Sequence, residues 1–317
     1  MLNNFSISER KVAIIGVGFV GASIAYALTI RKLAREIVLI DIHEEKTISE
    51  ALDIQHGIPD MGISSVRAGS YEDCKDCDLI IITAGRNRKT GETRLDLIAG
   101  NSAILKNVVE QMKPHYTKGV IMIVSNPVDV LVYQCTNWMG LPNGMVFGTG
   151  CVLDSSRFTR LIADYTHLNT EVVKATIVGE HGDAQIPIWS RVSIAGVPIQ
   201  EYCENVGLRW DEDVRKDISD KVREMGATII KGKGRTHYGI ATCVCYLAEA
   251  VLNQRLTIAP VSTMFQGEYG IEDVCLSVPS IIGVNGVEKR LEERWAEEEF
   301  LAFCQAADKM EDVLKRL

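Results

Sequence analysis

KVAIIGVGFVG, residues 11–21, is a short apolar run that passes into three glycines with the spacing G-x-G-x-x-G. The run from Lys11 to Ile15 predicts a buried strand, and the alanine-rich segment from Ala22 to Ile30 predicts a helix directly after the glycines. Glycines at this spacing allow a tight turn, a close approach of the backbone to a bound group, and close packing of the helix on the strand. The stretch therefore predicts a strand, a glycine turn and a helix as the first unit of the fold.

Further apolar runs follow at intervals that are typical of alternating strands and helices. They are Glu36 to Asp41, Asp78 to Ala84, Gly119 to Ser125 and Met145 to Gly148. Between two of them, the segment Asn101 to Met112 repeats its apolar residues every three to four positions, which indicates an amphipathic helix. Alternation of this kind predicts an α/β fold with a mostly parallel, doubly wound sheet.

The pattern of the chain changes near residue 149, where helical stretches become longer and strands more irregular. A chain of 317 residues also exceeds the size at which one hydrophobic core normally stops growing. We therefore expect two domains, the doubly wound domain over residues 1–148 and an α+β catalytic domain over residues 149–317. Because no linker rich in Pro, Gly or Ser separates them, we expect the two to pack closely.

Composition excludes several classes of protein. Apolar residues make up 46% of the chain and charged residues 24%, which is ordinary for a globular protein. A net charge of −8 argues against a nucleic-acid partner. The sequence has no apolar stretch of membrane-spanning length and no secretory signal at its start, so we expect a cytoplasmic protein with no membrane partner.

The nine cysteines are scattered along the chain and odd in number, which favours reduced thiols over a disulfide framework. Cys74 and Cys77 form one C-x-x-C pair, but no second pair and no H-E-x-x-H motif accompanies it. We therefore expect no metal site.

The context of the glycine turn predicts a dinucleotide cofactor bound by a Rossmann-type fold. Gly16, Gly18 and Gly21 lie between a strand and a helix, and Asp41 ends the second strand twenty positions later. The helix N-terminus would hold the cofactor's diphosphate. An acidic side chain at this place accepts hydrogen bonds from a ribose diol and repels a 2′-phosphate, so NAD is favoured over NADP. FAD, which can use the same turn, is the alternative.

GRNRKTGETR, residues 85–94, follows the carboxyl end of a predicted buried strand, where open α/β sheets bind their ligands. Arg88 and Arg94 stand six positions apart, so their guanidiniums can meet two anionic groups of one small molecule. Gly85 and Gly91 would let the segment hinge. The stretch predicts a mobile anion-binding loop, with a solvated basic loop as the alternative; Arg86 and Lys89 have no assigned role and are expected to face solvent.

Three later segments carry the residues that hydride transfer needs. They are NPVD at residues 126–129, LDSSR at 153–157 and GEHGD at 179–183. Singly, each has a plain structural interpretation, such as an ion pair within a helix or a histidine in a turn. Together with the glycine turn and the arginine loop, in this order, they resemble the L-lactate/L-malate dehydrogenase family. The resemblance runs from about residue 11 to the C-terminus, and GETRLDL and GEHGD are its most specific segments.

The resemblance implies a role for each residue at a matching position. His181 corresponds to the acid/base that exchanges a proton with the substrate oxygen, and Asp154 to the partner that orients it and raises its pKa. Arg157 corresponds to the clamp for the substrate carboxylate, and Arg94 to the arginine that polarises the carbonyl once the loop has closed. Asn126 corresponds to the amide that orients the substrate beside the nicotinamide.

The resemblance also places Gly85, Ser125 and Asn126 beside the cofactor. It implies a small 2-oxo or 2-hydroxy acid as substrate, NAD as cofactor, and a homodimer or homotetramer. A non-catalytic NAD-binding sensor is the alternative of another class, since it would keep the glycine turn and Asp41 without needing the catalytic set.

Arg88 decides the substrate expected from the sequence. Lactate dehydrogenases of this family usually have glutamine there and malate dehydrogenases arginine, and an enclosed guanidinium needs a second carboxylate. This favours oxaloacetate and L-malate. The surrounding GETRLDL, and the substrate-binding Thr236 within GRTHYGIA, instead resemble lactate dehydrogenases, so pyruvate and L-lactate are the alternative.

Overall fold

A parallel sheet of six strands occupies the first half of the chain in the computed structural model, which describes residues 10–60, 65–87 and 91–317. The strands are β1 (Lys11–Ile15), β2 (Glu36–Ile40), β3 (Ser65–Ala68), β4 (Leu79–Ile82), β5 (Val120–Ile123) and β6 (Val146–Gly148). Their spatial order is β3-β2-β1-β4-β5-β6, and every neighbouring pair is parallel. The order reverses between β1 and β4, which makes the carboxyl ends of these two strands the switch point of the sheet.

Helices cover both faces of this sheet. They are α1 (Phe19–Ile30), α2 (Glu44–Gly57), α3 (Arg94–Met112) and α4 (Val128–Met139). Side chains of β1 alternate between the faces: Ile14 packs in one apolar cluster with Leu28 of α1, while Ile15 packs in a second cluster with Leu105 of α3 and Leu131 of α4. The Rossmann-type doubly wound sheet is confirmed.

The second half of the chain mixes short strands with long helices, as expected for an α+β domain. Its strands are β7 (Val173–Lys174), β8 (Ile177–Gly179), β9 (Gln185–Pro187), β10 (Ser193–Ile194), β11 (Val197–Pro198), β12 (Thr257–Gln266), β13 (Glu272–Gly283) and β14 (Gly286–Arg290). Its helices are α5 (Val152–Thr166), α6 (Ile199–Val206), α7 (Glu212–Lys233), α8 (Tyr238–Leu252) and α9 (Glu297–Leu314). Strand β12 pairs antiparallel with β6 and β13, and β13 pairs with β8 and β14, so one sheet continues from the first half into the second. Strands β7, β10 and β11 form a small separate sheet.

Helix α8 belongs to the second half of the sequence but packs on the first. Its Val244 and Leu247 lie in the same apolar cluster as Ile14 and Leu28. Helix α8 therefore completes the cover of one face of the parallel sheet, and its first residues lie near the start of α1. Among the helices of the described residues, none is long and apolar enough to cross a membrane.

Two predicted helix starts were too late in the sequence. Helix α1 begins at Phe19, directly after Gly18, and α3 begins at Arg94 rather than at Asn101. A capping box explains the second start, because the Thr93 hydroxyl accepts the N–H of Asp96 at 3.1 Å while the Asp96 carboxylate accepts the N–H of Thr93 at 2.9 Å. Arg94 is consequently held in the first turn of a helix and is not part of a loop.

The three glycines of the turn are under different steric constraints. Gly16 has a φ of +100°, and a Cβ there would lie 2.5 Å from the backbone nitrogen of Ala84. A Cβ at Gly21 would lie 2.0 Å from the carbonyl oxygen of Gly16, whereas a Cβ at Gly18 would meet no atom within 4 Å. Packing within the protein therefore requires glycine at positions 16 and 21, whereas no described residue lies close enough to Gly18 to require it there.

We expect Gly21→Ala to lower the free energy of unfolding by about 1–3 kcal/mol, because helix α1 must move away from the strand. Gly18→Ala, the matched control, should change it by less than about 0.5 kcal/mol. Denaturant unfolding followed by circular dichroism measures both. Equal stabilities of the two variants would contradict this account of the turn.

Candidate active site

The glycine turn lies at the switch point of the sheet and fits a dinucleotide. The hydroxyl of Thr83, after β4, donates to the carbonyl of Gly16 at 2.6 Å, which ties the two strand ends together. The first turn of α1 contains no acidic residue, and no side chain caps its N-terminus. Its backbone N–H groups and the open space at Gly18 therefore form a cradle for an anionic group such as a diphosphate.

Asp41 lies at the carboxyl end of β2, beside this turn. One oxygen of its carboxylate accepts the N–H of Val17 at 2.6 Å, and the other accepts the N–H of His43 at 3.0 Å. Each oxygen keeps a further lone pair for a ribose hydroxyl. The carboxylate is thus fixed beside the glycine turn, where it can accept hydrogen bonds from a ribose such as that of NAD.

The ends of β4 and β5 are joined by polar side chains. The hydroxyl of Ser125 donates to the carbonyl of Ala84 at 2.7 Å, so the proton of this hydroxyl is already engaged in a hydrogen bond within the protein. Gly85 and Asn126 are both exposed at these strand ends. The two segments therefore form one rim next to the glycine turn.

Asn101, which the sequence analysis did not assign, holds this rim in place from α3. Its Nδ2 donates to the carbonyl of Asn126 at 2.6 Å and to that of Arg86 at 3.1 Å, and its Oδ1 accepts the N–H of Arg86 at 2.9 Å. The signal available in the sequence was a polar residue on the apolar face of an amphipathic helix.

The structure brings together His181, Asp154 and Arg157. Helix α5 presents Asp154 and Arg157 one turn apart, and His181 follows the end of β8. Nδ1 of His181 lies 2.6 Å from Oδ2 of Asp154, and Nη1 of Arg157 donates to Oδ1 of the same carboxylate at 3.1 Å. Because an ionised carboxylate only accepts, Nδ1 carries the proton in this contact and Nε2 remains for exchange.

Burial separates the roles of these three side chains. The Asp154 side chain is 4% exposed, that of Arg157 13% and that of His181 25%. A buried carboxylate thus lies beneath a histidine that a small molecule can reach. This arrangement is typical of a general acid/base with an orienting partner.

The carboxylates around His181 favour its charged form. Burial opposes the charge of the imidazolium, but the hydrogen bond and charge of Asp154, together with the charge of Asp129, raise the pKa of His181 above its usual value. Burial opposes the charge of Asp154 as well, yet contacts with His181 and Arg157 leave its pKa below the usual value. The pair is therefore a carboxylate and an imidazole that holds its proton more firmly than usual.

Asp129 is a second buried carboxylate at this histidine, and the sequence analysis did not single it out within NPVD. It lies on α4 with 1% of its surface exposed, and its Oδ2 accepts the backbone N–H of His181 at 2.9 Å. The hydroxyl of Ser262 lies near this carboxylate and stabilises its charged form. Burial raises the pKa of this carboxyl group. The signal available in the sequence was the acidic residue within the NPVD segment.

Arg94 contacts the segment that carries His181. Its guanidinium forms an ion pair with Glu180, which is buried, and lies 3.7 Å from the exposed carboxylate of Asp183. The structure thus places Arg94 against the residues on both sides of His181. Neither acidic partner was assigned from the sequence.

Arg86 is held in place at the base of the loop, contrary to the expectation that it faces solvent. Its Nη1 donates to Oε2 of Glu92 at 2.6 Å, across the two ends of the segment 88–90. Gly100 of α3 leaves room for the guanidinium, since a Cβ there would lie 2.6 Å from Nη2. Arg88 and Lys89 themselves lie outside the described residues.

Thr236 lies in the short connection between α7 and α8, and its side chain is half-buried. The residue after it, His237, contacts Ser23 of α1 through Nδ1 at 2.9 Å. Gly239 packs on Leu153, the neighbour of Asp154 in sequence, since a Cβ there would lie 3.2 Å from Leu153. Thr236 is therefore in a segment that lies between the glycine turn and the start of α5.

The cysteines are not activated nucleophiles. Sγ of Cys151 lies 3.7 Å from the carbonyl oxygen of Gly179 beside this site, but burial raises the pKa of its thiol. None of the nine forms a disulfide, and burial raises the pKa of Cys74 and Cys77 to about 12, so neither thiol is activated. Over residues 10–60, 65–87 and 91–317, no cluster of three or more His, Cys, Asp or Glu side chains has the geometry to hold a metal ion.

Two family models match the chain. One describes the lactate/malate dehydrogenase NAD binding domain and matches residues 10–148; the other describes the alpha/beta C-terminal domain of the same enzymes and matches residues 151–316. The curated L-lactate dehydrogenase of Thermoanaerobacterium saccharolyticum is 42% identical over 307 residues, covering 97% of this chain and 99% of its own. The L-lactate dehydrogenase of Acetivibrio thermocellus is 38% identical over 308 residues, and the match covers 97% of each of the two chains.

Solved structures agree with these relatives. The minor L-lactate dehydrogenase from Enterococcus mundtii, in a ligand-bound form, superposes with a TM-score of 0.94 at 39% identity, covering 98% of this chain and 99% of that chain. The L-lactate dehydrogenase from Clostridium thermocellum gives a TM-score of 0.84 at 43% identity, with 97% and 99% coverage. The family resemblance seen in the sequence is thus confirmed, and the chain belongs to the NAD-dependent lactate/malate dehydrogenase family.

Proposed function

We propose that this protein is an L-lactate dehydrogenase that interconverts pyruvate and L-lactate with NAD as cofactor. The contact of His181 with Asp154, beside Arg157, is the observation that carries the catalytic part of the proposal. The substrate part is supported by relatives of about 40% identity, which are named L-lactate dehydrogenases. A non-catalytic sensor would not explain why the chain keeps this buried, hydrogen-bonded set.

His181 is the group that exchanges a proton with the substrate oxygen. Bound NADH supplies the hydride to the substrate carbon. During reduction the imidazolium gives its Nε2 proton to the developing alkoxide, and during oxidation the neutral imidazole takes it back. The buried carboxylate of Asp154 keeps the other proton on Nδ1 and stabilises the charged ring in both directions.

Arg157 and Arg94 provide the cationic contacts. Arg157 keeps donors beyond its single contact with Asp154, and we assign these to the substrate carboxylate as a planar fork. We assign Arg94 to the substrate carbonyl, which requires its guanidinium to turn from Glu180 and Asp183 toward the substrate. Asn126, exposed at the end of β5, is assigned to orienting the substrate.

Malate dehydrogenase is the second candidate, and Arg88 is the observation that favours it. A guanidinium enclosed opposite the methyl group of pyruvate would be unpaired, whereas the second carboxylate of oxaloacetate would pair with it. The relatives favour the lactate alternative over this interpretation.

We also propose that the protein forms a homodimer or a homotetramer. The mass of the particle in solution, measured by light scattering, tests this proposal.

The substrate is tested by kcat/KM for pyruvate and for oxaloacetate, followed by NADH absorbance at 340 nm. We expect pyruvate to be preferred by at least about tenfold. Arg88→Gln should leave this order unchanged. A preference for oxaloacetate that Arg88→Gln reverses by about a hundredfold would instead establish the malate assignment. Inactivity with every 2-oxo acid would refute the enzymatic proposal.

Asp154→Asn should shift the pH dependence of pyruvate reduction to lower pH. Reduction needs protonated His181, so kcat/KM falls as the pH rises through the pKa of this histidine, which lies above its usual value of 6.5 in the wild type. Loss of the carboxylate charge lowers that pKa, and we expect the midpoint to fall by about one unit or more. A pH profile of kcat/KM measures it, and an unchanged midpoint would rule out this role.

Asp129→Asn separates the charge of Asp129 from its hydrogen bond, because the amide oxygen can still accept the N–H of His181. We expect a fold as stable as the wild type and a midpoint about half a unit lower, a smaller shift than that of Asp154→Asn. Asp129→Ala is the matched variant, since it leaves that N–H unpaired and should destabilise the protein by about 1–3 kcal/mol. Identical pH profiles of Asp129→Asn and the wild type would show that the charge has no effect on catalysis.

A further inference from the structure

Two cations lie against the first residue of α1, and a third lies against the first residue of α8. Over residues 10–60, 65–87 and 91–317, no salt bridge involves Lys46, Lys233 or Arg235. Each lies against an aromatic ring instead. Cζ of Arg235 is 3.6 Å from the centroid of the Phe19 ring and Nζ of Lys46 is 5.8 Å from it, while Nζ of Lys233 is 4.0 Å from the ring of Tyr238.

Phe19, the aromatic residue that Arg235 contacts, lies next to the glycine turn. It is the residue after Gly18, the first residue of α1, and 56% exposed. A guanidinium that stacks on an aromatic ring contacts it through its flat face. Its N–H groups lie around the edge of that plane, so they stay available for hydrogen bonds to a ligand. Arg235 is therefore held above the glycine turn with donors that no acidic side chain uses.

The connection between α7 and α8 holds Arg235 in this position. His237, two residues later, is buried, contacts Ser23 of α1 through Nδ1 at 2.9 Å, and has its ring 5.9 Å from that of Phe19. The segment is thus fixed to α1 on one side of Arg235, and α7 ends at Lys233 on the other. A guanidinium that is positioned before its ligand arrives loses little entropy on binding.

The charges at this place are unbalanced. The chain carries a net charge of −8, yet the first turn of α1 has no acid, and Lys46 and Arg235 both lie against its first residue. Asp41, which accepts the N–H of Val17, is the carboxylate next to the turn on the side of β2. Burial, and next the charges of Lys233 and Arg235, lower the pKa of His237, which fits a positive local potential. Cations that repel one another are stabilised when an anion binds between them.

We propose that Arg235 is a cofactor-binding residue, which reaches from the catalytic half of the chain to the diphosphate of NAD and NADH and clamps it over the glycine turn. Lys46 contributes attraction at longer range. The inference rests on the family's cofactor and is independent of whether the substrate is pyruvate or oxaloacetate. A role in packing alone, or in binding the substrate carboxylate, would give different results in the following experiment.

The test compares the affinities of Arg235→Ala and wild type for NADH, ADP-ribose and AMP by isothermal titration calorimetry. NADH and ADP-ribose contain the diphosphate, whereas AMP does not. We expect Kd for NADH and for ADP-ribose to rise about tenfold or more, as for the loss of one charge-assisted hydrogen bond, and Kd for AMP to change less than about twofold. Arg255→Ala removes an exposed arginine beyond the far end of α8 and should leave all three affinities unchanged.

Phe19→Leu tests the support of the guanidinium. With Arg235 present but no longer resting on an aromatic face, the affinity for ADP-ribose should fall by a smaller factor, and adding Phe19→Leu to Arg235→Ala should cause little further loss. Unchanged affinity of Arg235→Ala for ADP-ribose would overturn the proposal, as would an equal loss for AMP. A raised KM for pyruvate with normal cofactor binding would assign Arg235 to the substrate instead, which also overturns it.

Discussion

The contact between Asp154 and His181 depends on a sheet that continues from one half of the chain into the other. The two residues are 27 positions apart and lie on different elements, yet their side chains meet at 2.6 Å. Helix α5 begins directly after β6, and β8 ends just before His181; β12 and β13 join these two strands into one sheet. The spacing of strands in that sheet therefore fixes the distance between the buried carboxylate and the histidine.

The balance of charge around His181 follows from this placement. The carboxylates of Asp154 and Asp129 are buried at the histidine, and they are only partly offset by Arg157, which contacts one of them. Protonation of the imidazole compensates the remaining negative charge, which is why its pKa rises although the ring is removed from water. Arg94 is held by Glu180 in the same region and adds no net charge there until it turns toward a ligand. The protonated site can thus take up an anionic substrate without leaving a carboxylate unpaired.

The sequence predicted the parts of this arrangement that depend on local patterns. The glycine turn and the parallel strands were expected from such patterns and are present. The contact of Asp154 with His181 spans 27 residues, and it was expected only because the segments that carry the two residues resemble those of a known family. Asp129 and Asn101 were not expected to act, because their roles come from contacts across 52 and 25 residues, which no spacing reveals. The start of α3 was also missed. Its capping box, Thr93 with Asp96, can be recognised in the sequence, but the charges of the arginine segment suggested a loop.

The start of α8 connects the glycine turn with helix α5. Nδ1 of His237 lies 2.9 Å from the hydroxyl of Ser23, and two residues later a Cβ at Gly239 would lie 3.2 Å from Cδ1 of Leu153 on α5. Asp154 follows Leu153, so these two contacts link the glycine turn to the helix that carries Asp154. Because α8 is also packed into the core beside α1, the connection cannot move independently of either element. The glycine turn and Asp154 therefore share one packed segment, and substitutions within residues 235–239 should be judged by their effect on both.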